Sequence, residues 1–199
     1  MTILDRGDAM RKAGSVGKPP VFYRMRIVHE DGSDCEPGEV GEIIGRGPIL
    51  MSGYFNRPEL TAEAIRDGWL YSGDLGYVDT DGYLYLVDRK KDIIISGGVK
   101  VYPKDIEEIV IRHPDVLEVA VFGVPDEKWG ERPVAAVVLR DGARITEEAL
   151  RTWINERVDA RYQRVGKVAI LHAFPRSAAG KILKRELRER YWTGHRSRI

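Results

Sequence analysis

Asp88-Arg89-Lys90-Lys91-Asp92-Ile93-Ile94-Ile95-Ser96-Gly97-Gly98-Val99-Lys100-Val101-Tyr102-Pro103 is the stretch on which the fold of this chain turns. It opens with five consecutive charges, which are costly to bury and suit an exposed connector. Two β-rich runs follow, Ile93–Ser96 and Val99–Tyr102, separated only by Gly97-Gly98. Two residues that both tolerate φ > 0, set between apolar runs, are a strong hairpin signal. Pro103 then suits the first turn of a helix, and Ile106, Ile109 and Val110 share one of its faces. His113-Pro114 ends it, because the residue before proline is pushed out of the helical region.

Toward the C-terminus, Val116–Val124 and Pro133–Leu139 read as strands. Thr146 can cap a helix that carries Glu147 and Glu148 in its first turn, with Leu150, Ile154 and Val158 along one side. Val168–Leu171 reads as another strand. A last helix follows Gly180, with Leu183, Leu187 and Tyr191 at four-residue spacing. Toward the N-terminus the chain is rich in turns. Strands are expected at Val21–Val28, at Gly38–Gly47 and at Tyr83–Val87, with turns at Asp31-Gly32-Ser33-Asp34 and Asp79-Thr80-Asp81-Gly82. One helix is expected at Arg57–Ile65, with Asn56 as its cap and Pro58 in its first turn. The fold class is therefore α+β: a β-rich first part, then a small α+β domain with flanking helices. The charged run is an exposed hinge between them.

The 199 residues carry 43% hydrophobic and 32% charged side chains, which places the chain among ordinary globular proteins. The single cysteine, Cys35, can form no internal disulfide, and the four histidines lie apart from one another in the sequence. A reducing, cytoplasmic protein without a structural metal is expected. No apolar run approaches the ~18 residues needed to cross a bilayer, so no stable membrane insertion is expected. The net charge of +1 argues against a dedicated nucleic-acid binder. Residues 176–199 hold eight basic and two acidic side chains, so a tail of +6 follows a body of −5. That suits a polyanionic small molecule.

Three segments, in order, resemble the adenylate-forming (ANL) superfamily of AMP-dependent synthetases and ligases. Gly68-Trp69-Leu70-Tyr71-Ser72-Gly73-Asp74-Leu75-Gly76 is similar to its Y-T-G-D-L motif. Asp88–Pro103 is similar to its hinge and hairpin. Pro175-Arg176-Ser177-Ala178-Ala179-Gly180-Lys181-Ile182-Leu183 is similar to its C-terminal P-x-x-x-x-G-K motif. The likeness runs from about Gly14 to about Tyr191. The run D-R-K-K-D-I-I-I-S-G-G resembles AMP-forming acyl-CoA synthetases of the fatty-acid and medium-chain type more than peptide-synthetase adenylation domains. Gly53-Tyr54 with Asn56-Arg57-Pro58-Glu59 and Thr61 points the same way.

The resemblance implies a role for each matching residue. Taken alone, Asp74 reads as a turn aspartate; in the family this carboxylate accepts hydrogen bonds from the two ribose hydroxyls of ATP. Arg89 would lie near the same ribose, and Lys91 would be the hinge about which a C-terminal lid swings. Gly97 and Gly98 would line the pantetheine tunnel of CoA, where missing side chains allow close approach. Lys181, which alone reads as a solvated helix-start lysine, would be the adenylation lysine, bridging the substrate carboxylate and the α-phosphate. Trp129-Gly130-Glu131 also matches a family segment and reads as structural.

The implied layout is a β-rich, distorted barrel-like end of the large AMP-binding domain over residues 1–89, then a mobile lid over 90–199. The implied substrates are a small carboxylate, ATP (released as AMP) and CoA, with Mg accompanying ATP. The glycine-, serine- and threonine-rich phosphate loop and the magnesium-holding glutamate motif are absent from the 199 residues and are expected upstream, as is the acyl pocket. No metal ligand is therefore assigned within the chain, and the chain alone is expected to be inactive. Two alternatives stay open: a non-catalytic module pairing with a separate large domain, and an adenylating enzyme that loads a carrier protein. Departures from the family pattern are Ser72 for threonine, Tyr162-Gln163-Arg164-Val165 where Y-K-x-P is usual, and Ala178-Ala179 for more polar residues.

Overall fold

The computed structural model describes residues 1–193, so His195, Arg196 and Arg198 of the basic tail lie outside the described residues. The chain divides into two compact units, Met1–Lys91 and the residues from Asp92 on. The division falls inside the charged run, where Lys90–Asp92 form a single 3-10 turn with no buried residue.

The first unit is built on one antiparallel sheet. Its strands are β1 (Ser15–Gly17), β2 (Arg24–Val28), β3 (Gly41–Arg46), the short β4 (Ile65–Arg66), β5 (Trp69–Val78) and β6 (Leu84–Arg89), and helix α1 (Pro58–Ala64) precedes β4. The order across the sheet is β1-β6-β5-β3-β2, with β4 beside β5. Strands β1 and β2 are edges and do not pair with each other, so the sheet is open; the expected barrel-like closure is not found. Closure needs a register stagger accumulated around a ring of strands, and local sequence does not reveal it. Ile27, Val28, Ile44, Leu75, Tyr83 and Leu84 are buried in this unit. The turn between β5 and β6 forms as expected. Asp79 accepts backbone N–H bonds from Asp81 and Tyr83 through its carboxylate, the local bonding that makes aspartate a turn residue. Lys12 grips both Asp79 and Asp81, each at 2.6 Å.

Three local expectations shift in this unit. Strand β2 begins at Arg24, and Val21 and Phe22 before it are exposed. The residue before α1 is Arg57, with no side-chain cap, whereas Asn56 sits outside the helix at φ +52°. Asn56 is thus a left-handed turn residue, a conformation asparagine tolerates. Strand β5 was not anticipated, because Gly73 and Gly76 interrupt its pattern of β-formers.

The second unit contains β7 (Ile94–Ser96), β8 (Val99–Val101), α2 (Pro103–Val110), β9 (Val116–Asp126), β10 (Gly130–Leu139), α3 (Glu147–Asn155), β11 (Lys167–Leu171) and α4 (Lys184–Trp192). The Gly97-Gly98 hairpin forms as read, pairing Ile94 with Val101 and Ser96 with Val99. Strand β10 is central. It pairs antiparallel with β9 along its length and parallel with β11 from Val134 to Val138. Both of its faces are covered, which is why it reads as an unbroken apolar run. Val121, Ala135 and Val137 face one core with Ile106, Val110, Leu150 and Ile154 from α2 and α3. Ala120, Phe122, Val134, Ala136 and Val138 face the other, with Leu187 of α4. The alternation is the period-2 pattern of a strand with both faces buried. Thr146 caps α3, its hydroxyl accepting the Ala149 N–H. Helix α2 stops at Val110, and His113 beyond it is buried edge-on against Trp153 at 4.8 Å.

Candidate active site

The two motifs that carry Asp74 and Arg89 meet through strand register. Strands β5 and β6 pair so that Asp74 lies directly opposite Arg89, and the guanidinium Nε sits 3.1 Å from the Asp74 carboxylate. Both side chains keep substantial exposure, 37% for Asp74 and 52% for Arg89, so the pair can receive a ligand. Gly73, at φ +71° with open space where a Cβ would stand, presents Asp74 at a bend in β5. Ser72 keeps the hydroxyl of the family threonine and uses it structurally. Its Oγ donates to the Ile43 carbonyl at 2.7 Å and accepts the Asp74 N–H at 3.0 Å.

Beneath this pair lies a residue that sequence reading missed. Glu42 is buried on β3; its carboxylate accepts the Gly73 N–H at 3.2 Å and the Lys90 ammonium at 2.8 Å. A carboxylate so enclosed must be partnered, and Glu42 thereby ties the bend before Asp74 to the charged run. The only advance signal was an acidic residue between glycine and isoleucine in a strand pattern. The described residues here do not fit a magnesium ion. Asp74 and Glu42 are already neutralised by Arg89 and Lys90.

Lys91 is exposed in the 3-10 turn at the division between the units. In the second unit, Gly97 and Gly98 form the hairpin tip with φ +60° and +83°. Gly97 is held from below: its N–H donates to the Trp129 carbonyl at 2.7 Å, and a Cβ at Gly97 would come within 2.7 Å of the indole. Trp129-Gly130-Glu131 therefore braces the tip, as the structural reading of that segment implies. Glu131, 7% exposed, reaches the Ile95 N–H at 3.3 Å from within the sheet. Beside the tip opens a cleft of about 280 Å³ lined by Ser96, Lys128, Trp129, Arg132, Arg161, Tyr162 and Arg164. The cleft gathers four cations around an indole and a phenol, one of the cations, Arg132, lying 3.9 Å from the Asp126 carboxylate. Arg164 comes from the segment that departs from Y-K-x-P and Arg161 immediately precedes it, so positive charge is present there.

Lys181 is exposed, and among the described residues its ammonium makes no ion pair. The preceding Ser177–Gly180 is a hydrogen-bonded turn rather than a loose loop: Gly180 N–H donates to Ser177 O at 2.8 Å and Ser177 N–H to Lys181 O at 2.9 Å. The helix starts three residues later than expected, at Lys184.

The structure brings one further group together. His29, Cys35 and Glu39 put their ligand atoms within 4.8 Å of one another. The imidazole, however, turns Nδ1 to the thiol at 3.5 Å and Nε2 to the carboxylate at 3.4 Å. One ring cannot put both neighbours on one ion in that pose. Burial and the nearby acids Glu39, Asp34 and Asp31 push the Cys35 thiol up, which disfavours the thiolate a metal would need. No helix among the described residues is long and apolar enough to cross a membrane.

Comparison with known proteins agrees with these motifs. Residues 1–55 match the family described as AMP-binding enzyme, and residues 105–181 match the AMP-binding enzyme C-terminal domain. The chain is 46% identical to the 2-succinylbenzoate–CoA ligase of Geobacillus kaustophilus over 180 residues, 90% of this chain and 36% of the relative. It is 47% identical to the long-chain-fatty-acid–CoA ligase FadD13 of Mycobacterium tuberculosis over 190 residues, 96% of this chain and 37% of the relative. It matches the structure of the o-succinylbenzoate CoA synthetase of Bacillus subtilis, in complex with an acyl-adenylate intermediate, at TM-score 0.83 and 40% identity, covering 92% of this chain and 37% of that one. The chain thus spans little more than a third of the length of the curated relatives it matches. Across both of its units, the chain belongs to the AMP-binding enzymes, the adenylate-forming (ANL) synthetases and ligases.

Proposed function

We propose that this chain supplies the ribose-contacting strand pair, the hinge and the lid of an AMP-forming acid–CoA ligase. The enzyme would work in two steps. A carboxylate oxygen attacks the α-phosphorus of ATP and the bond to pyrophosphate breaks. The CoA sulfur then attacks the acyl carbon, its thiol proton is lost, and AMP leaves. Asp74, held by Ser72 and Arg89, would accept the ribose hydroxyls. Lys181 would place its ammonium between the carboxylate and the α-phosphate. Turning about Lys91 would then withdraw Lys181 and bring in the bare backbone of Gly97-Gly98, where no side chain obstructs the thiol arm. Magnesium, present with ATP in another structure of the Bacillus subtilis synthetase, would neutralise phosphate charge; its ligands are expected outside these 199 residues, and no step here depends on them.

The observation that carries CoA as acceptor is the basic cleft beside the hairpin tip. CoA presents several phosphates and a purine, which four cations and an indole suit. A carrier protein presents a single phosphate. In the intact enzyme CoA is expected to be acylated and a phosphopantetheinyl carrier protein is not; acylation of the carrier alone would overturn the reading. A fatty or medium-chain carboxylate is the acid favoured by the D-R-K-K-D-I-I-I-S-G-G run, and relatives acting on succinylbenzoate make an aromatic acid the alternative. A panel of both acid classes in pyrophosphate exchange separates them. The isolated 199 residues, lacking a phosphate loop, are expected to show no carboxylate-dependent ATP–pyrophosphate exchange above background. Exchange by the isolated chain would show that the upstream elements are dispensable.

A further inference from the structure

The turn that carries Lys181 is fastened to the body of its unit by a guanidinium that touches the peptide immediately before the lysine. Arg176 directs one nitrogen to the Glu118 carboxylate on β9 at 2.6 Å and another to the Gly180 carbonyl at 2.8 Å. The backbone closes around the same turn: Arg176 bridges to Ile182, Leu183 N–H donates to Pro175 O at 2.8 Å, and Lys181 N–H donates to Ser177 Oγ at 3.2 Å. On the far side Lys184 pairs with Glu107 at 2.7 Å, and the same Glu107 oxygen accepts the Val121 N–H of β9. Lys181 thus stands between two anchored points, five residues after one and three before the other.

Without the Arg176 fork, the side-chain tie between the Gly180 carbonyl and β9 is lost. Ala178, Ala179 and Gly180 are exposed and bring no side-chain partner of their own, and Gly180 at φ +79° is the residue about which the turn can most easily reorient. The Arg176–Glu118 pair is half-exposed, at 40% and 34%, so it contributes little to folding. Its geometry is more specific than its stability value requires. A planar fork holds the carboxylate and the carbonyl from two nitrogens in fixed directions, whereas a lysine ammonium would have to reach both from a single nitrogen.

We propose that Arg176, oriented by Glu118, is a positioning residue that sets the reach of Lys181 for adenylation. The proposal rests on the adenylation role given to Lys181 above, and the experiment separates the two. In the intact synthetase, Arg176→Ala is expected to lower kcat of acyl-adenylate formation by about 10-fold, the scale at which a displacement of under 1 Å acts. KM for ATP should stay unchanged, as should thioester formation from supplied acyl-adenylate. Arg176→Lys should recover less than half of the loss. Glu118→Gln should act in the same direction, and combining it with Arg176→Ala should add nothing further, because both remove one contact. An Arg176→Ala enzyme within twofold of wild type, beside a crippled Lys181→Ala enzyme, would overturn the positioning role and leave the lysine's role standing. Equal slowing of both half-reactions, or full rescue by lysine, would also overturn it, since either marks a structural or purely charged part. A harmless Lys181→Ala would overturn the underlying reading itself.

Discussion

Lys181→Ala in an intact synthetase carrying this chain is expected to slow acyl-adenylate formation by ~10²–10³-fold, the typical effect of removing one preorganised donor from developing charge. The expectation rests on where the lysine stands and on what it lacks. Its ammonium is exposed and, among the described residues, unpaired, so it has no competing carboxylate to break away from. Its backbone is held by the Ser177–Gly180 turn, so little ordering remains to be done when it meets the nucleotide. Pyrophosphate exchange measures the first half-reaction. Thioester formation from synthetic acyl-adenylate measures the second and should remain within a few-fold of wild type, because the lysine is withdrawn in that step. Equal losses in both assays would remove Lys181 from its assigned role and leave it a structural residue of the lid.

Ile154→Ala is expected to destabilise the second unit by about 2–5 kcal/mol, the range for deleting a buried branched side chain and leaving a cavity. Ile154 is fully buried on α3 beside Leu150, in the core that includes Val165 and Val168. The close packing of such a core allows only partial collapse around the gap. Denaturant unfolding of the 199-residue chain in a Trp69→Phe background, followed by the fluorescence of the three remaining tryptophans, all in the second unit, reads this unit. Ile111→Ala serves as the control. Ile111 is 43% exposed just past α2, and its loss should fall within about 0.5 kcal/mol of wild type. A loss below 1 kcal/mol at Ile154 would mean that α3 does not pack on the sheet as described.

The parts legible in the sequence are those whose cause is local. Gly97-Gly98 forms its hairpin because two adjacent residues accept φ > 0. Thr146 caps α3 because its hydroxyl reaches an N–H three residues on. The charged run falls at the division between the units because five charges in a row resist burial. Errors arose where local preference and tertiary pairing disagree. Strand β5 carries Gly73 and Gly76, poor strand formers, yet β3 and β6 flank it on both sides and supply its backbone partners. Asn56 has the chemistry of a cap, but the chain turns through it in the left-handed region, and Arg57 takes the cap position before Pro58. The open edges at β1 and β2 replace the anticipated barrel-like closure.

By itself the sequence determined the family and the order of the motifs, and it put forward Asp74, Arg89, Lys91, Gly97, Gly98 and Lys181 as candidates, because these depend on residue type and short spacing. Only the tertiary structure decided that Asp74 faces Arg89 across two strands, that buried Glu42 ties Gly73 to Lys90, that four cations gather beside Trp129, and that Glu118 holds the turn of Lys181 through Arg176. Most of those contacts join residues far apart in the chain. Which distant residues meet is set by strand register and by the burial of whole faces, and a shift of one residue in register would turn the strand side chains among them, such as Glu42 and Glu118, to the opposite side of the sheet.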